Sequence, residues 1–93
     1  MTKEERLKII HTSWDIHSKV ETSYLNNPVK PRDDNWLEKQ RILLADIALH
    51  LLQTSISPGE IKLNKLRNNL HSILTITDQF LPNIGLKKAT EKL

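Results

Sequence analysis

Two pairs of side chains in this sequence have the spacing for metal chemistry. His17 and Glu21 stand four residues apart, as do Asp46 and His50. On a helix, that spacing puts both members of a pair on one face, so either pair could supply two ligands to an ion. The histidines, His11, His17, His50 and His71, contain no HxxxH or HExxH pattern, the spacing in which one helix offers two imidazoles. A site would therefore need ligands converging from more than one helix, which spacing alone does not supply. The expectation is ordinary helix-surface pairing or a satisfied interior histidine, with no metal and no cofactor.

Other chemistries find less support. Asp15, Glu21, Asp46 and Asp78 are scattered, with no sign of two carboxylates sharing a pocket. Ser13, Ser18, Ser23 and Ser72 lack a nucleophile context. With no cysteine, thiolate ligands and nucleophiles are excluded. There is no phosphate loop, and the only two glycines hold structural positions: Gly59 in the first turn of a helix, where capping accounts for it, and Gly85 in the tail, where it weakens a last helical turn. The expectation is a protein that is not an enzyme.

The elements that would carry these residues are helices. At 93 residues the chain is one small domain, and 38% apolar with 27% charged residues is too apolar for disorder. A first helix spans about 3–25: Thr2 and Glu5 have capping-box spacing, and the apolar residues from Leu7 to Leu25 fall on half the wheel. Asn26-Asn27-Pro28 ends it, and Pro28 and Pro31 mark a linker. A second helix spans about 36–54, with Asn35 and Glu38 at box spacing. Its polar strip (Lys39, Asp46, His50, Gln53) is narrow, and Ile42 and Leu49 flank it where a surface helix would show charge. Ser57-Pro58-Gly59-Glu60 reads as N-cap, N1 and N3 of a third helix over about 58–81, with Ile56 and Ile61 at hydrophobic-staple positions. The fold expected is an all-α antiparallel three-helix bundle over 1–82, with a short basic tail over 83–93.

The net charge is +3 and the basic surplus lies in the last third of the chain. Lys62, Lys65, Arg67, Lys87 and Lys88 are therefore candidate nucleic-acid contacts. No apolar run approaches a membrane span, and the N-terminus is too charged for a secretory leader; a cytoplasmic protein without membrane insertion is expected.

The most informative feature is a surplus of apolar helix surface. In a three-helix bundle about half of each helix is covered. The second helix exceeds that, and the first carries two apolar stripes. This predicts an interface for another protein or a second copy, with Ile9, Trp14, Ile16, Val20, Tyr24, Trp36, Ile42 and Leu49 as its candidate residues. The function expected is that of a non-enzymatic interaction module: an accessory subunit, adaptor or inhibitor acting by stoichiometric binding. The alternatives are a nucleic-acid-associated regulator using the basic third helix and tail, or a protective protein. A small basic helical bundle with a C-terminal tail resembles bacteriocin immunity proteins in architecture, without a shared motif.

Overall fold

A computed structural model describes residues 1–93, and every element in it is helical. Helix α1 spans Lys3–Leu25, α2 Trp36–Ile56, α3 Leu63–Phe80 and the short α4 Leu86–Ala89, followed by a 3-10 turn at Thr90–Lys92. Thr2 caps α1: its Oγ1 accepts the Glu5 N–H at 3.1 Å, and its hydroxyl donates to Glu5 Oε1 at 3.1 Å. Glu4 and Glu5 occupy the first turn, where the exposed amides favour negative charge.

The linker from α1 to α2 is tied down along its length. Asn27 Oδ1 accepts the Val29 N–H at 3.0 Å, and Asp33 Oδ2 accepts the Lys30 N–H at 2.9 Å. Lys39 Nζ donates to the Val29 carbonyl at 3.2 Å and sits 4.7 Å from the Tyr24 ring centroid, a cation–π contact. Asn35 does not form the expected capping box. Its backbone, at φ −92° and ψ 13°, is not extended, and its side chain makes no cap hydrogen bond.

The second junction departs further from expectation. Ser57 ends α2 instead of starting α3: its hydroxyl and its N–H both donate to the Gln53 carbonyl. Gly59 then adopts φ +84°, a left-handed conformation that no right-handed helical turn contains. Helix α3 therefore begins at Leu63, after Lys62 and without a side-chain cap, so Ile61 is not at a staple position. The C-terminus of α2 has no basic residue of its own. Arg6 of α1 supplies one, donating from Nη1 to the Ile56 carbonyl at 2.7 Å. At the end of α3, Gly85 at φ +76° reverses the chain, and the Lys87 N–H reaches Asp78 Oδ1 at 3.3 Å. The basic tail is thereby folded back onto α3.

The helices run antiparallel. Along α1 and α2, Arg6 meets Ile56, His17 meets Asp46 and Tyr24 meets Gln40. Along α2 and α3, Trp36 Nε1 donates to Gln79 Oε1 at 2.9 Å, joining the start of one helix to the end of the other. Helix α2 is central, packing against both neighbours, while α1 and α3 do not pack against each other. The result is an open bundle of 45 × 33 × 16 Å, little more than one helix diameter thick. Its radius of gyration is 15.0 Å, where a compact chain of this length has about 12 Å.

Burial is correspondingly thin. Only Ile47 (9% exposed) and Ile76 (8%) form an apolar core. The more deeply buried residues are polar: Ser13 at 1% and Gln40 at 2%. No helix is long and apolar enough to cross a membrane.

Candidate functional site

The open bundle leaves apolar side chains along the α1–α2 pair. Ile9, Ile16, Leu49 and Leu52 line a groove of about 280 Å³. Val20, Ile42 and Ala45 line a hollow further along the same two helices, beside the Glu38–Arg41 ion pair. Ile9, Ile16 and Val20 share one stripe of α1 by helical periodicity, as Ile42 and Leu49 share one of α2. Five of the eight interface candidates therefore lie on a single face. Ile16 is exposed; Ile9, Val20, Ile42 and Leu49 are half-buried.

The remaining three lie elsewhere. Trp14, 49% exposed, borders a different groove shared by all three long helices. Tyr24 is drawn into the α1–α2 seam, where its hydroxyl lies 3.4 Å from Gln40 Oε1. Trp36 is half-buried at the α2–α3 seam through its bond to Gln79. The groove beside Trp14 also holds two buried amide atoms with no hydrogen-bond partner in the chain, Gln53 Nε2 and Asn69 Oδ1.

The basic candidates are all exposed but do not form one patch. Lys62 precedes α3, whereas Lys87 lies beside Asp78 near its far end. Sixteen residues of helix separate those positions, roughly 24 Å along the axis.

The narrow polar strip of α2 turns inward. Asp46 lies against α1, with Oδ1 hydrogen-bonded to His17 Nδ1. Both side chains are 13% exposed. On its other nitrogen, His17 Nε2 lies 3.1 Å from Glu21 Oε2. His50 Nε2 stands 3.5 Å from Asp46 Oδ2, longer than a normal hydrogen bond. One ligand atom from each of His17, Asp46 and His50 falls within 4.8 Å of the others. Trp14 packs edge-on to both imidazoles, with centroids 5.3 Å from His17 and 6.4 Å from His50. The two i,i+4 pairs that spacing picked out separately are thus one cluster, because the antiparallel register sets His17 opposite Asp46.

Two surfaces therefore stand out, an apolar face on α1–α2 and a polar histidine–aspartate cluster in the seam. No protein-family model, curated protein or solved structure matches this chain.

Proposed function

We propose that this protein is a non-enzymatic helical interaction module that acts by stoichiometric binding through the α1–α2 face. One observation carries the reading. The chain exposes 7052 Å², whereas a compact monomer of 10.8 kDa exposes about 5,500 Å². The excess, about 1,500 Å² on this one chain, is about twice the 800 Å² or so that one partner contributes to a standard protein–protein interface.

The face supports an apolar helical partner. Ile9, Ile16 and Leu49 give it a hydrophobic middle, with Lys8 and the Glu38–Arg41 pair beside it. A polar margin around an apolar centre is how protein interfaces are built. A second copy of the chain is the partner that requires nothing else, since a two-fold axis sets the same patch against itself.

The test is uptake of a hydrophobic fluorescent dye together with complex formation. Wild-type chain binds either the dye or a partner, and Ile16→Glu combined with Leu49→Lys abolishes both while helical content is kept. A chain that binds neither overturns the proposal.

A further inference from the structure

We propose that His17, Asp46 and His50 form a binding site for a divalent transition-metal ion, zinc(II) by its donor set, which clamps α1 onto α2. The first support is convergence across two helices: the three ligand atoms lie within 4.8 Å of one another. Zinc–nitrogen and zinc–oxygen bonds of about 2.0–2.1 Å place tetrahedral ligands about 3.3 Å apart. Small rotamer adjustments close that gap. Two imidazoles and a carboxylate, without thiolate, suit zinc and its late first-row neighbours. The fourth position is left for water or a partner's side chain.

The second support is the hydrogen bonding of His17. Its Nδ1 faces Asp46 and its Nε2 faces Glu21, so carboxylate oxygens stand at both ring nitrogens. A doubly protonated imidazole donates to both, whereas a neutral one has a single N–H. With Nε2–H given to Glu21, the Nδ1 lone pair faces the Asp46 oxygen, and a bound cation takes the place of the proton shared between them. A carboxylate accepting the second ring N–H is also the usual device for orienting a metal-bound histidine. Glu21 holds that position.

The third support is shielding. The side chains of His17 and Asp46 are mostly withdrawn from solvent, and the Trp14 indole lies against both imidazoles. His11 and Asp15 are also four apart, but both are exposed and belong to no such cluster. Helix α1 packs against no long helix but α2, so an ion bridging His17 to Asp46 and His50 would fasten it directly.

The experiment titrates the tag-free, full-length chain with zinc(II) by calorimetry and with cobalt(II) by visible absorption. The expected results are one equivalent bound, tetrahedral cobalt bands, and a rise in melting temperature of roughly 5 °C or more. His50→Ala, which removes the most exposed ligand, abolishes saturable binding. Glu21→Gln weakens it about tenfold, the effect expected of an orienting partner. The double variant His11→Ala/His71→Ala leaves it unchanged. Absence of saturable binding to the wild type overturns the proposal and leaves His17 as a proton-bridged pair. Equal affinity in wild type and His50→Ala, or loss in the His11/His71 variant, overturns it as well.

Discussion

The two seams of α2 are built from different materials. Of the chain's two buried apolar residues, Ile47 belongs to α2 and Ile76 to α3. On the α1 side, Ser13 is the only buried residue that α1 contributes. Besides half-buried apolar residues such as Ile9 and Val20, a series of polar ties joins α1 to α2: Arg6 at one end, His17–Asp46 in the middle and Tyr24–Gln40 at the other end. Apolar burial is non-directional and supplies most folding free energy. Polar ties supply little net free energy, but they fix register, because a buried group without its partner is costly. The α2–α3 hairpin, which holds both buried apolar residues, is therefore expected to be the more stable unit. Helix α1 is registered by polar ties, and part of the apolar surface it shares with α2 stays open along one face.

Substitutions can break this contrast. Ile47→Ala or Ile76→Ala removes half of a two-residue core and should cost about 2–4 kcal/mol, read as loss of cooperative thermal unfolding. Arg6→Ala should cost about 1–2 kcal/mol, because the α2 carbonyl terminus loses its charged donor. Native-state hydrogen exchange should show that loss concentrated in α1, with α2 and α3 keeping most of their protection. Gln53→Met should stabilise by about 1 kcal/mol, because it replaces a buried amide whose Nε2 has no partner. Ile16→Glu should change the stability of the isolated chain by no more than about 0.5 kcal/mol, since that side chain already faces solvent. A large loss on Ile16→Glu would mean that α1 is held by apolar burial after all.

Much of this was legible in the sequence. Thr2 and Glu5 mark the start of α1, Asn26 and Pro28 its end, and the nearly all-round apolar surface of α2 marks it as central. Ser57-Pro58-Gly59-Glu60 reads as a clear helix start and is not one, for a physical reason. A serine hydroxyl that can accept from the next helix can equally donate to the carbonyl four residues back, and Gly59 at positive φ favours the second use. The polar strip of α2 was legible as a strip but not as an inward one. Only register and helix rotation set Asp46 against His17, and those depend on a ten-residue linker whose ties are local hydrogen bonds. The surplus of apolar surface was legible because it follows from arc length. That the bundle would stay open, with α1 and α3 apart, was not.

Sedimentation of the wild-type chain over a concentration series tests the central claim most directly. The average mass should climb from 10.8 kDa toward twice that value as concentration rises, and Ile16→Glu should hold it at the monomer. A wild-type chain that sediments as one 10.8 kDa species at every concentration, takes up no hydrophobic dye and captures no partner would contradict the account.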